Sequence, residues 1–469
     1  MSGQSASSVA LSYPTLQAWL AHIENLHPRG HAGIELGLER VLCVRQELAP
    51  PPQCPLITVG GTNGKGSTCA YLEAIYCFAG YRVACYTSPH LLEYNERVRI
   101  DRLPVADGTL CQAFASVEKA RLAAGGVPLT YFEFGTLAAM EVFRLQQAEV
   151  LILEVGLGGR LDAVNAYDPD CSVVTGIALD HTEWLGSTRA AIGFEKAGIF
   201  RCGKPALCAD PDPPQSLLDH AQAIGADLHL LGRDFGYVGD RQQWTFWGRH
   251  GLRRAGLAPP GLRGACQLRN TAAALAVVEL LKPRLPVSMQ ALRRGLIELE
   301  LPARFQVLPG RPAIVLDVAH NPQAVAGLAE NLADMPFFAH TIAVVGMLAD
   351  KDLAGSLAAL AARVDAWLLA DLDVPRGAPA ASLAAAIGTA RVGGRVECLA
   401  SPAQAFARAA ELAEENDRIV VFGSFHTVAA VVRSMRAGCQ GLVKYRGEQA
   451  QMSDQSEQRS RLAVRQIGS

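Results

Sequence analysis

Between Gly61 and Ser67 the chain reads GTNGKGS, placing glycines, an asparagine, a lysine and a hydroxyl side by side. The run departs from the strict phosphate-loop pattern G-x-x-x-x-G-K-[ST]. Position 59 is Val rather than Gly, Gly66 follows Lys65, and the hydroxyl arrives one place late at Ser67. The chemistry survives the departure. Gly61, Gly64 and Gly66 with the turn-former Asn63 let successive backbone N–H groups point into one concavity. A helix starting here adds its positive end. Lys65 brings a full charge to a terminal phosphate, and the hydroxyls of Ser67 and Thr68 can face a cation.

Other residues carry chemical potential with bland readings beside it. Glu154 closes the otherwise apolar run VLILE. A carboxylate there is costly to desolvate unless something cationic faces it, either Arg160 in a salt bridge or a metal ion. Ser88, at the end of another apolar run, reads as a turn residue or a ligand. His181 reads as a hydrogen-bonded histidine or a ligand, and Lys196 as a solvated helix charge. Asp317 and the segment His320-Asn321-Pro322 read equally as caps of a turn and a helix. The rings of LTYFEF, residues 129–134, suit core packing or stacking on a flat heterocycle.

These groups act only where strands and helices hold them. Residues 55–60, 82–88, 150–156 and 171–179 are Val/Ile/Leu-rich runs that suit a parallel sheet covered on both faces. A helix from Lys65, closed by Gly80, joins the first two, so strand, glycine-rich turn, helix and strand form one βαβ unit. Residues 242–257 read as a hairpin and 269–282 as a helix. Proline and glycine cluster at 296–312 and mark a break. The alternation then restarts, with strands in AIVLDVA, TIAVVGML, AWLLAD and RIVVFGSF separated by Ala-rich helices. The expected fold is α/β: an N-terminal P-loop mononucleotide-binding domain with a mainly parallel sheet over 1–300, and a smaller C-terminal Rossmann-like α/β domain over 301–445. Residues 446–469 are polar and read as a disordered tail.

Bulk properties exclude several functions. The 469 residues exceed one core, and 43 basic against 45 acidic residues leave a net charge of −2. No basic field for nucleic acid and no polybasic membrane patch is expected. The 12 cysteines show no C-x-x-C pair, so free thiols in a reducing cytosol are expected rather than zinc or disulfides. Neither a signal peptide nor an apolar run long enough for a membrane span is read in the sequence. A soluble, cytoplasmic protein, monomeric and acting on small molecules, is the expectation.

The loop variant GTNGKGS resembles that of the Mur ligase superfamily. An ordered series of segments over roughly residues 20–435 resembles its folylpolyglutamate synthase/dihydrofolate synthase family. The segments are IELGLERV, GTNGKGS, YTSPHL, YFEFGTLAA, LEVGLGGRLDAVN, DHTEWLG, EKAGIFR, LDVAHNP and FGSFHTVA.

The resemblance implies site roles. ATP would be held by Thr62, Asn63, Gly64, Lys65, Gly66 and Ser67, with Asn270 on the adenine, Arg304 on the phosphates and Asp317 on the ribose. Ser88, Glu154 and His181 would hold magnesium, two ions being expected. Lys196, carbamylated by CO2 into a carboxylate, would join them. Lys65, Lys196 and His181 would be the catalytic set. The pterin substrate would meet Ile34, Glu35, Thr130, Tyr131, Phe132, Glu133, Leu161, Asp162, Ala163 and His320.

The implied reaction joins L-glutamate to dihydropteroate, and to the glutamate tail of reduced folates, through an acyl phosphate made with ATP. Rival readings are one of these two activities alone, a Mur-type peptidoglycan ligase, and a non-catalytic nucleotide-binding protein. The second is disfavoured because residues 1–54 are too few for a separate UDP-binding domain. The third is disfavoured by the co-occurrence of Lys65, Ser88, Glu154, His181 and Lys196.

Overall fold

The computed structural model describes residues 13–30, 33–240, 243–264 and 266–437. The expected disordered tail at 446–469 lies outside them. Eight strands form the first sheet: β1 Leu56–Gly60, β2 Val83–Tyr86, β3 Val98–Ile100, β4 Leu103–Pro104, β5 Val150–Glu154, β6 Cys171–Val174, β7 Pro205–Cys208 and β8 Asp227–Leu230. Their order is β4-β3-β2-β5-β1-β6-β7-β8. The six strands from β2 to β8 pair in parallel, and β3 and β4 add an antiparallel edge. Strand β1 lies between β5 and β6. The chain leaves β1 toward β2 on one side, returns through β5 and crosses to β6 on the other. Its carboxyl end is therefore a topological switch point, where open α/β sheets form a ligand crevice.

The helix Lys65–Phe78 starts at that end and is buried over most of its length. It packs between the sheet and the helices Cys266–Leu281 and Met289–Ile297. A Cβ at Gly295 would stand 2.7 Å from the Ile75 Cα, so only glycine allows so close a crossing. The expected hairpin is present as β10 Trp244–Gly248 and β11 Arg253–Leu257. It belongs to a three-stranded antiparallel sheet with β9 Phe235–Gly239, a strand absent from the sequence reading.

The third sheet holds β12 Gln306–Leu308, β13 Ala313–Leu316, β14 Thr341–Val345, β15 Ala366–Ala370, β16 Arg395–Leu399 and β17 Arg418–Phe422. Their order is β12-β13-β17-β14-β15-β16, parallel except at β12. Two corrections stand here. The Pro/Gly-rich break contains β12, and the polar edge strand β16 was not anticipated. The fourth expected strand of the first sheet stops at Val174, short of 179. Thr175 Oγ1 bonds across to the carbonyls of Gly60 and Asn63 at 3.2 and 2.8 Å, so the chain leaves the ladder to brace the loop. The described cysteines are free thiols. Among the described residues no helix is long and apolar enough to cross a membrane.

Candidate active site

The glycine-rich loop is shaped by contacts that admit no side chain. Gly61 has φ +137°, and a Cβ on it would lie 2.0 Å from Thr175 Oγ1. Gly64 has φ +95°, and its Cβ would meet Asn270 Oδ1 at 2.5 Å. Glycine adopts both conformations without a steric penalty. Thr62 Oγ1 donates to the Ala178 carbonyl and accepts from its N–H, at 3.2 and 3.1 Å. Lys65 Nζ donates to the carbonyls of Gly61 and Thr62 at 3.1 and 3.2 Å. Asn270 and Gln267, on the first turns of helix Cys266–Leu281, bond to one another at 3.1 Å. Gln267 reaches Ser67 Oγ at 3.5 Å.

Beside the loop stand the carboxyl ends of β2 and β5. Glu154 is buried and accepts from the Ser88 N–H at 3.2 Å. Burial pushes its carboxyl up, although Lys65 and Arg304 oppose that shift. Arg160, the bland partner for Glu154 in the sequence, is bound instead to Glu195 at 2.8 Å. Lys196, in the last turn of helix Arg189–Ala197, is 3% exposed. Its amine has no hydrogen-bond or ion-pair partner among the described residues. Burial, then the Lys65 charge, lowers it to about 7. The solvated-charge reading of Lys196 is thereby overturned. His181 takes a left-handed backbone, φ +51°, at the cap of helix Thr182–Leu185. Its Nδ1 is buried without a partner, and burial, then Lys351, lowers the ring to about 4.

Ser88, Glu154 and His181 are a sparse donor set of hydroxyl, carboxylate and imidazole. Among the described residues no three His, Cys, Asp or Glu side chains cluster so as to hold a metal alone. The set nevertheless fits magnesium, which keeps several waters and is bound through one or two carboxylates plus substrate phosphates. The partnerless His181 Nδ1 and the poorly compensated Glu154 carboxylate are the groups such an ion would satisfy.

The third sheet supplies the facing wall. Arg304 sits between two non-glycine residues with left-handed backbones, Ala303 at φ +59° and Phe305 at φ +45°. Such strain persists only where the surroundings impose it. Here Asp317 accepts from the Phe305 and Ala319 N–H groups at 2.8 and 2.7 Å. The guanidinium of Arg304 lies 5.0 Å over the Phe425 ring, and its Nη1 is buried without a partner. His320 Nδ1 bonds the Val318 carbonyl at 2.9 Å, and its Nε2 lies 3.5 Å from Asp180.

Thr130 and Glu133 form a reciprocal capping box at the start of helix Tyr131–Leu145, at 3.2 and 2.8 Å. Glu133 is also gripped by Arg40. Its capping role is structural, and Tyr131 and Phe132 sit between the two capping residues. A Cβ on Gly156 would stand 2.6 Å from the Phe132 ring, so glycine makes the ring's room. Asp162 is buried and accepts from the N–H groups of Leu157 and Val164 at 2.8 and 3.0 Å. Burial raises its carboxyl to about 7.

One cavity of about 730 Å³ collects these groups. Every site residue expected from the sequence lines it, from Ile34 and Glu35, through the loop, to His320. The sequence reading missed Asp180, Lys351, Gln267 and Gln323, which line it too. Asp180 accepts from Lys351 Nζ at 2.6 Å across the two sheets. Burial opposes its ionisation, but His320, His181 and Lys351 together hold it well below the usual carboxylate range. The only local signal for Asp180 was its place beside His181.

A family model described as Mur ligase, glutamate ligase domain, matches residues 303–425. The dihydrofolate synthase/folylpolyglutamate synthase of Escherichia coli (strain K12) is 44% identical over 423 residues, 90% of this chain and 96% of that protein. The solved structure of E. coli FolC in complex with DHPP and ADP aligns with a TM-score of 0.84 at 44% identity, covering 91% of this chain and 99% of the other. The bifunctional folylpolyglutamate synthase/dihydrofolate synthase from Yersinia pestis, complexed with AMPPNP and Mn ion, aligns with a TM-score of 0.81 at 44% identity, over 91% and 99% of the two chains.

Proposed function

The chain belongs to the dihydrofolate synthase/folylpolyglutamate synthase family, and from that premise we propose that it is an ATP-dependent ligase. It joins L-glutamate to dihydropteroate, forming dihydrofolate, and to the glutamate tail of tetrahydrofolates. One observation carries the reading. The groups suited to triphosphate, cation and pteridine line the same cavity, the glycine-rich loop among them. The relatives' complexes support it, since FolC is seen with DHPP and ADP and the Y. pestis enzyme with AMPPNP and Mn ion.

A carboxylate is a poor electrophile and must be activated. The substrate carboxylate attacks the γ-phosphorus of ATP, giving an acyl phosphate and ADP. The amine of L-glutamate then attacks the acyl carbon, and inorganic phosphate leaves. The protein's task in the first step is positioning and charge neutralisation. The loop from Thr62 to Ser67 offers its amides to the phosphates, and Lys65 offers its ammonium. Asn270 meets the adenine, Arg304 the phosphates and Asp317 the ribose.

Ser88, Glu154 and His181 would hold magnesium, two ions in this reading, and Lys196 would join them as its carbamate. Magnesium held there would supply positive charge that lowers the repulsion between the triphosphate and an anionic nucleophile. Tyr131 and Phe132 take the flat ring, with Ile34, Glu35, Leu161, Asp162, Ala163 and His320 around the substrate. Residues 1–300 act as the nucleotide and pterin part and 301–445 as the ligase part, and the cleft between them keeps water from the acyl phosphate. The protein works as a cytoplasmic monomer.

ADP release tests the reading. ATP with dihydropteroate and L-glutamate, and ATP with tetrahydrofolate and L-glutamate, are each expected to release ADP and yield the glutamylated product. Release with UDP-muramyl substrates instead, or none above the substrate-free rate, overturns it. Release with only one of the two pteridines assigns that activity alone.

A further inference from the structure

Three stretches of chain form the pteridine end of the cavity: the loop 33–37, the start of helix Tyr131–Leu145, and the turn 156–163. The loop and the turn are irregular, and only the remaining stretch belongs to a long helix, so something must fix their place against it. One side chain reaches two of them. Arg40, in the short helix Glu39–Arg45, sends Nε to both carboxylate oxygens of Glu133 at 3.2 and 3.1 Å and Nη2 to Oε1 at 2.9 Å. Its Nη2 also donates to the Glu35 carbonyl at 2.8 Å, and its Nη1 pairs with the Glu35 carboxylate. Glu133 is itself tied to Thr130 through the capping box. The loop is tied to the third stretch by the Gly37 N–H, which donates to the Leu161 carbonyl at 3.2 Å.

We infer that Arg40, which does not line the cavity itself, is a positioning residue that sets the width of the pteridine subsite by bolting loop 33–37 to the start of helix Tyr131–Leu145. The inference rests on the ligase reading and adds the device that fixes its substrate end. A planar guanidinium suits this task because its fork of donors serves two carboxylates and a carbonyl at once. An ammonium carries the same charge but cannot span both carboxylates with fixed geometry. Arg40 makes its hydrogen bonds to Glu35 and Glu133 and none to the phosphate loop, so its loss is expected to act on one substrate and spare the other.

Steady-state kinetics on Arg40→Gln and Arg40→Lys test this. Both variants are expected to raise KM for dihydropteroate roughly tenfold or more, as misplaced binding walls do, with KM for ATP within about twofold of wild type. Should Arg40→Gln fail to fold because Glu133 is left buried and unpaired, Arg40→Gln/Glu133→Gln carries the test, since Gln at that position still completes a capping box. An unchanged KM for dihydropteroate, a full return of KM in Arg40→Lys, or an equal rise in both KM values overturns the inference. Turnover of dihydropteroate by the wild-type protein is measured alongside. Its absence counts against the ligase reading, whereas a wild-type enzyme that works beside unaffected variants counts against Arg40 alone.

Discussion

Asn63 and Asn321 exchange two side-chain hydrogen bonds, Asn63 Nδ2 to Asn321 Oδ1 at 3.2 Å and Asn321 Nδ2 to Asn63 Oδ1 at 3.0 Å. One residue belongs to the glycine-rich loop and the other caps helix Pro322–Ala333 beside the third sheet. The loop's shape and the placement of the facing wall are thus joined at the point where phosphates are proposed to bind. Gln323 strengthens the joint by accepting from Asn63 Nδ2 at 2.7 Å.

Replacing Asn321 separates the joint from the cap. Asn321 Oδ1 also accepts from the Ala324 N–H at 2.9 Å, the helix N-cap bond. Asn321→Ser keeps a capping hydroxyl but is too short to reach Asn63. It is expected to lower kcat/KM for ATP about tenfold, the worth of roughly one good hydrogen bond, with the melting temperature near wild type. Asn321→Ala loses both functions and should cost about 1 kcal/mol of stability besides. Equal kinetics in wild type and Asn321→Ser would show that the joint is idle.

Lys65 is the loop's one full charge, and its hydrogen-bond partners are two loop carbonyls, so the fold is expected to survive its loss. Lys65→Ala should lower turnover by about two orders of magnitude or more, the scale of losing a preorganised charge stabiliser. Circular dichroism and the melting temperature should stay close to wild type. Near-normal turnover in this variant would remove the loop from the reaction.

How far the sequence discloses this site depends on the range of each signal. The loop, the strands around it and the acids at their ends are local patterns: glycines before a helix, and apolar runs closed by Glu or Ser. Such patterns single out Lys65 and leave Ser88 and Glu154 open between a turn or salt-bridge residue and a ligand; the family resemblance adds the ligand reading, together with Asn270, Arg304 and Asp317. Strand β16 has no such pattern, because RVECL lies at a sheet edge and none of its residues is fully buried. Strand β12 hides in a stretch whose prolines and glycines read as a break. The Asp180–Lys351 pair spans 171 residues, and nothing in ADKD says where its lysine will land. Gly156 reads as one more turn glycine, and only the structure reveals the Phe132 ring against it.

The surroundings of Lys196 favour a change of covalent state. Its amine is buried, lacks a partner and lies close enough to Lys65 to feel that charge. A buried, partnerless cation is an unstable arrangement, and carbamylation by CO2 replaces it with an anion that the neighbouring cations favour. Intact-protein mass spectrometry in bicarbonate is expected to show one carbamate adduct that Lys196→Ala lacks. That variant should be inactive and partly rescued by short carboxylic acids. Full activity without any added acid would dismiss the carbamate.

The ion pair of Lys351 with Asp180 links the third sheet to the segment after β6. The two side chains are 5% and 8% exposed, and Lys351 Nζ also lies 3.4 Å from His181 Nε2. Removing one member of a buried pair strands the other, a loss of about 3–5 kcal/mol in a rigid interior. A cleft offers another outlet, because the two walls can part and let water reach Asp180. Lys351→Gln is therefore expected to lower turnover strongly and to raise the radius of gyration in small-angle scattering, while unfolding changes little. Asp180→Asn in the same chain removes the stranded charge and should restore the compact radius without restoring turnover, since the backbone hold of Asp180 on His181 at 2.9 Å weakens with it. A compact Lys351→Gln protein with a large fall in melting temperature would assign the pair to stability instead of closure.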